Sequence, residues 1–328
     1  MKKLLVAAAV LLTPASGLAH HGGVTLAFGP GSPMETNSPM TLPEGGIVTG
    51  LRAEQVEWQD VNEPEDKSSF SFFNVNLSYG FTPALTGTVI VPYYIKRTEG
   101  LGENEGLADA KLQLIYGFHY DPGKGFSRNR AEDTAVSIES QQDRIWLGVS
   151  AMMSLPTGDD SEALADGSID PGMQTGFGAP SYTFSLTAAR AFGALTLNSE
   201  LSADFFTSRD IGPDSFQFGT ELRGNLAGVY ELYGNPANPY FDKVDGIMEF
   251  NFLHLERDEE NGAGLAATGG NMLYFSPGVR LSLPWLQNAN LGLLVKIPIW
   301  KNLNEEEEQQ GAEGLEEFRL ISTLSFYF

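Results

Sequence analysis

The chain closes on Phe318-Arg319-Leu320-Ile321-Ser322-Thr323-Leu324-Ser325-Phe326-Tyr327-Phe328. Phe318, Leu320, Leu324, Phe326 and Phe328 share one parity of this stretch, and Arg319, Thr323, Ser325 and Tyr327 share the other. Successive side chains of a strand point to opposite faces, so the period of two predicts a strand with one apolar and one mixed face. Such a strand suits the edge of an ordinary sheet, or the wall of a barrel with lipid outside and water inside. The start of the chain discriminates between the two.

There, Lys2 and Lys3 precede the apolar run 4–12 and the small-x-small triplet Gly17-Leu18-Ala19. This pattern predicts a secretory signal peptide over 1–19, cleaved before His20. The run is too short to cross about 30 Å of hydrocarbon as a helix, and no other stretch is apolar enough to do so. The absence of Cys excludes a lipoprotein anchor and a disulfide scaffold. An exported chain that ends on an aromatic inside an alternating strand resembles a bacterial outer-membrane β-barrel. That resemblance implies the outer membrane of a Gram-negative bacterium as the location. It also implies that the closing strand runs down to the periplasm, and that Phe328 with Phe326 is the signal read by the barrel-insertion machinery.

Composition agrees. Aromatics make up 11% of the chain, Gly numbers 37, and the mean hydropathy of -0.14 is too polar for a bundle of membrane helices. It is normal where lipid-facing and lumen-facing residues alternate. The net charge of -22 argues against a nucleic-acid partner.

Twelve alternating segments follow the leader, near 46–58, 70–80, 85–96, 108–120, 143–155, 181–191, 195–206, 215–231, 244–256, 272–283, 291–300 and 317–328. They predict an all-β, transmembrane antiparallel up-and-down β-barrel of about 12 strands over 46–328, after an irregular segment over 20–45. Counting back from a descending last strand puts 80–84, 191–194, 234–239 and 284–288 in the periplasm. These are mostly short and carry Gly, Pro and Asn. The same count puts 60–67, 98–106, 157–170, 210–214, 258–262 and 302–316 outside, where connections are longer and acidic. The connection over 121–142 falls on the periplasmic side yet is about twenty residues long. A hairpin hidden there leaves fourteen strands as the alternative. Pro92, Pro277 and Pro298 remove ladder donors inside strands and predict bulges or kinks.

By parity, Arg52, Glu54, Lys111, Glu200, Asp204, Glu221, Arg223, Glu249, Arg280, Lys296 and Arg319 face the lumen, interleaved with Phe72, Tyr94, Trp146, Met152, Tyr274 and Trp300. Interior charges of both signs brace a wall by pairing across strands, or form a constriction that orients a solute. The aromatic surface exceeds what a water-filled sugar or ion pore needs, and suits a small hydrophobic or aromatic solute. The candidate solute path is therefore Trp146, Tyr274, Trp300, Glu200, Glu221, Arg223, Glu249, Arg280 and Lys296. The external acidic runs, such as Glu305-Glu306-Glu307-Glu308, concentrate cations at the mouth. Alternatively they are solvated loops held near lipopolysaccharide through divalent ions. His20 and His21 with a free α-amine offer nitrogen ligands for copper(II); the segment they open either trails in the periplasm or plugs the lumen. No cofactor is expected.

Three short stretches carry a more particular likeness: Thr41-Leu42-Pro43-Glu44-Gly45 before the first strand, the turn Tyr79-Gly80-Phe81-Thr82, and Ser154-Leu155-Pro156-Thr157-Gly158-Asp159. Together they resemble the outer-membrane proteins of the meta-pathway of phenol degradation family. The resemblance implies a barrel related to the long-chain fatty-acid transporters, passing hydrophobic or aromatic molecules by passive diffusion. An Asn-Pro-Ala signature at the mature N-terminus is lacking, so the fatty-acid hatch does not carry over. One alternative is a structural or metal-handling surface protein, supported by His20, His21 and the acidic loops. The other is an enzyme in the barrel wall, which requires Ser, His and a polar orienter on one face. His119 faces inward and His254 outward, and no Gly-x-Ser-x-Gly occurs; the expectation is a non-enzyme.

Overall fold

The computed structural model describes residues 32–59, 67–98, 102–134, 138, 141–164, 167–286, 289–305 and 315–328. The expected signal peptide, His20, His21 and most of the Glu305–Glu308 run lie outside them.

The strands are β1 (Ile47–Gln59), β2 (Lys67–Thr82), β3 (Leu85–Thr98), β4 (Gly102–Leu107), β5 (Lys111–Asp121), β6 (Gly125–Arg128), β7 (Ile145–Ser154), β8 (Ser181–Phe192) and β9 (Leu195–Phe206). They continue with β10 (Arg209–Ile211), β11 (Asp214–Gln217), β12 (Glu221–Gly234), β13 (Lys243–Leu255), β14 (Glu259–Glu260), β15 (Ala263–Gly264), β16 (Gly270–Leu283), β17 (Ala289–Leu303) and β18 (Glu316–Tyr327). Twelve of them pair antiparallel in the circuit β1-β2-β3-β5-β7-β8-β9-β12-β13-β16-β17-β18, and β18 closes onto β1 from Val48↔Tyr327 to Trp58↔Glu316. A closed circuit leaves no edge unpaired, as hydrocarbon requires.

The period of two explains both faces. Leu51, Leu114, Leu186, Leu201 and Met248 are each at least half exposed on the outside, while Arg52, Glu54, Glu249, Lys296 and Arg319 are buried within. This inversion of a water-soluble protein gives an apolar belt that only lipid satisfies. At the lower end, β8 and β9 are joined through Gly193 at φ +64°, a conformation that a tight hairpin demands and that glycine adopts without strain.

The long connection after β5 does hide a hairpin, but not a wall hairpin. β6 pairs with Phe118–Asp121 on the edge of β5 that β3 vacates, since β3 reaches only Leu85↔Tyr116. The wall count stays at twelve. Two other stretches differ from expectation. Residues 102–107 form β4 against the upper half of β3 instead of a loop. The expected strand over 215–231 is broken: β11 belongs to a small external sheet, β10-β11-β14-β15, and the wall resumes at Glu221. The break has a packing cause. Phe216 and Phe218 turn into a cluster with Phe177 and Phe206, and Gly219 lies so close to Glu256 that a Cβ would stand 2.2 Å from its carbonyl oxygen.

The prolines mark faults in the ladder. β16 and β17 pair up to Phe275↔Ile297 and again from Gly278↔Leu294, so Pro277 and Lys296 sit in an unpaired gap. Beside Pro298 the register slips between Leu273 and Tyr274. Near Pro92, β3 hands its pairing from β5 to β4, and the Pro92 carbonyl accepts from Ala108 N across the break.

Candidate functional site

Two inward segments shape the lumen. From below, residues 32–43 lie inside the barrel against the wall. The Glu249 carboxylate accepts from the backbone N–H groups of Met34 (2.6 Å), Glu35 (3.0 Å) and Thr36 (2.7 Å) and from the Thr36 hydroxyl (2.6 Å). Glu200 does the same for Asn37, through its backbone N–H at 2.8 Å and its side-chain amide at 2.6 Å. Arg280 donates to the carbonyls of Ser32 and Pro33, and Arg52 to that of Met34. Further along the segment, Leu42 N donates to Thr86 Oγ1 and the Thr41 hydroxyl to the Pro83 carbonyl. A segment without a ladder of its own thus has its backbone groups satisfied by wall side chains, which is what burial demands. The wall also makes room for it. A Cβ on Gly80 would stand 2.0 Å from the Pro43 carbonyl oxygen, and one on Gly292 would stand 2.8 Å from the Met34 thioether.

From above, residues 155–164 and 167–180 fold into the outer mouth. Asp109 accepts from the N–H groups of Thr157, Gly158 and Phe177 at 2.8–3.0 Å. Lys96 donates to the carbonyls of Gly172 and Gln174, and fully buried Met173 packs into a cluster with Trp58, Phe70, Phe72 and Tyr94. Ion pairs brace the wall beside both segments. Arg319 bridges Glu54 (3.0 Å) and Glu316 (2.9 Å), and Arg52 bridges Glu54 and Glu35, both at 2.7 Å. Each buried charge there has an opposite partner, the condition under which such burial is tolerated.

Between the segments lies a chamber with about 1280 Å³ of empty space, part of it continuous with outside solvent. Lys111, Asp204, Tyr94 and Met152 of the lumen-facing set line it, and so do Tyr274, Glu200, Glu221, Arg223 and Lys296 of the candidate solute path. Lys296 Nζ lies 4.5 Å from the Tyr274 ring centroid and 3.5 Å from Glu35. Arg223 pairs with Glu221 and Asp204. The others are elsewhere. Glu249 and Arg280 hold the lower segment. Trp146 is fully buried outside the chamber, under the Arg144 guanidinium and against Ile138. Trp300 is corrected outright: it is 47% exposed on the outer surface. The slip beside Pro298 inserts an extra residue, so Ile299 and Trp300 are both exposed, and parity counted through a bulge is inverted beyond it.

Phe326 faces outward, half-buried, and Phe328 is exposed at the seam, where its N–H donates to the Ile47 carbonyl at 2.9 Å. His119 is buried against Asn129 and Trp146, and His254 shares a hydrogen bond with Asn271 on the outside. Sequence reasoning missed Gln113 and undervalued Lys111, which sit two apart on the inner face of β5 and line the chamber. It missed Glu35 and Asn37 because they lie in a segment without periodicity, and the wall carboxylates that hold their backbone amides lie more than 160 residues away.

No family model and no curated protein matches the sequence. The architecture does match solved structures. An outer-membrane channel from Pseudomonas putida F1 superposes with a TM-score of 0.64 at 12% identity, over 90% of this chain and 100% of that one. The fold is that of an outer-membrane β-barrel. The NanC porin (TM-score 0.45, 9% identity, 85% of this chain and 98% of that one) is a more remote likeness. So is the β domain of the Bordetella autotransporter BrkA (TM-score 0.42, 11% identity, 87% and 100%).

Proposed function

We propose that this barrel is an outer-membrane channel through which small hydrophobic or aromatic molecules cross by passive diffusion. The observation that carries the reading is the chamber itself. Aromatic faces from Tyr94, Tyr274, Phe177, Phe206 and Phe218 line the same space as paired charges, and segments folded in from both ends narrow it. A chamber of that kind dehydrates an apolar ring against other rings while leaving polar contacts for a substituent. Residues 32–43 act as the obstruction from below; an open twelve-strand lumen would admit water and ions freely. The name of the Pseudomonas putida channel supports the channel reading, and the resemblance to the phenol-degradation family supports the solute class. The test is uptake. In cells stripped of general porins, uptake of labelled toluene should rise with expression of this protein while that of a disaccharide stays flat. Toluene uptake indifferent to expression would sink the reading.

A further inference from the structure

We propose that the chamber contains a binding site for a small aromatic monoanion, such as an aromatic carboxylate, with Lys111 holding the charge and Gln113 flanking it. This rests on the channel reading above and narrows its solute class.

Lys111 is 9% exposed and Gln113 is 5% exposed, and both line the chamber. Among the described residues the Lys111 ammonium makes no hydrogen bond and no ion pair; Asp204 and Asp109 act on it only through space. The Gln113 amide makes no hydrogen bond either, and its buried Oε1 is without a partner. A largely buried cation without a partner costs free energy, so Lys111 favours an anionic ligand, and the Gln113 side-chain N–H₂, which donates to no other group, adds a neutral donor beside it.

The neighbouring carboxylates do not compete with an incoming anion for Lys111, because each is already committed. Asp109 holds the three amides of the upper segment, Glu200 holds Asn37, and Asp204 and Glu221 share Arg223. The other chamber cations are committed too: Lys96 to two carbonyls, Lys296 to Glu35 and Tyr274, and Arg223 to its two carboxylates. Lys111 is therefore the cation open to a ligand among the described lining residues.

The register supplies the aromatic part. The pairs Lys111↔Ser154, Ser154↔Ser181 and Ser181↔Phe206 lie on one hydrogen-bonded row, which sets the ammonium level with Phe206 and its neighbours Phe177 and Phe218. Three strand steps of about 4.8 Å separate the two along the wall, a span that one aromatic ring with a carboxylate and the reach of a lysine side chain can fill. A carboxylate on Lys111 and the Gln113 Nε2 would place the ring against those phenylalanines.

The experiment is calorimetric titration of the full-length, folded barrel in detergent with benzoate, benzyl alcohol and phenyltrimethylammonium. Benzoate should bind about tenfold or more tightly than benzyl alcohol, as a charge-assisted contact implies. Lys111→Met should abolish that preference and Lys111→Arg should retain it, with heat-modifiable mobility confirming that each variant folds. Gln113→Leu should weaken benzoate more than benzyl alcohol. Equal affinities for benzoate and the alcohol, an unchanged preference in Lys111→Met, or tighter binding of the ammonium would each overturn the anion site while leaving an aromatic channel intact. Failure of all three probes to bind would overturn the site and count against the channel reading as well.

Discussion

Replacing Glu249 by Ala should loosen the lower segment without breaking the wall. The carboxylate receives four hydrogen bonds at 2.6–3.0 Å, three from consecutive backbone amides. A hydrogen bond to a charged group contributes about 1.5–3 kcal/mol. The four are not additive, and lumen water re-solvates part of what is freed, so a net loss of about 3 kcal/mol is the reasonable expectation. At about 1.4 kcal/mol per factor of ten, the ratio of released to seated segment should rise about 100-fold. The wall ladders of β13 run through backbone groups and are untouched. Two readouts follow. Amide exchange at Met34, Glu35 and Thr36, followed by mass spectrometry, should quicken about 100-fold, within the range of local opening. Open-state dwell in planar bilayers should lengthen. Glu249→Gln, which keeps one acceptor but turns an N–H₂ toward donors, should fall between wild type and Ala. Exchange at these amides that matches wild type, in a barrel with normal heat-modifiable mobility, would refute the idea that this carboxylate moors the segment.

Two further outcomes are expected. Deleting Phe328 removes the exposed terminal aromatic and its backbone seam bonds to Ile47, and changing it to Asp removes the aromatic alone; either should leave unassembled protein in the periplasm while Tyr327→Ser assembles. Equal amounts of heat-modifiable barrel from the deletion and wild type would exclude an assembly role. A cysteine at Glu260 in the external sheet should label from outside intact cells and one at Ala237 in the turn after β12 should not, and the reverse pattern would invert the topology.

The wall was legible because lipid on one side and water on the other force a period of two on every strand that separates them. β9 begins and ends where alternation says, at Leu195 and Phe206. Away from the bilayer that constraint lapses. The short strands β4, β6, β10 and β11 lie outside the twelve-strand circuit and run only 3 to 6 residues, too few for alternation to mark them. Trp300 was misplaced for a related reason, since a one-residue bulge beside Pro298 flips all that follows and composition does not locate bulges. The moorings were hidden differently. Parity puts Glu249 and Glu200 inside, but nothing in the sequence says that their partners are amides of a segment some 160–215 residues earlier. Lys111 was read as one more lumen charge; only its lack of a partner sets it apart, and that is a property of the assembled interior.

The seam between β1 and β18 joins the two ends of the described chain, and the Met34–Glu249 bond spans 215 residues. The seam cannot form until almost the whole polypeptide has been delivered, and the Met34–Glu249 bond not before residue 249. Until the seam closes, any sheet the chain has formed carries two unsatisfied margins, and outside the bilayer its apolar belt meets water, the conditions most prone to pairing with neighbours. Its survival between synthesis and the bilayer is then a matter of escort and timing: a holding chaperone must cover both margins, and the inner segment must be threaded before the circle shuts.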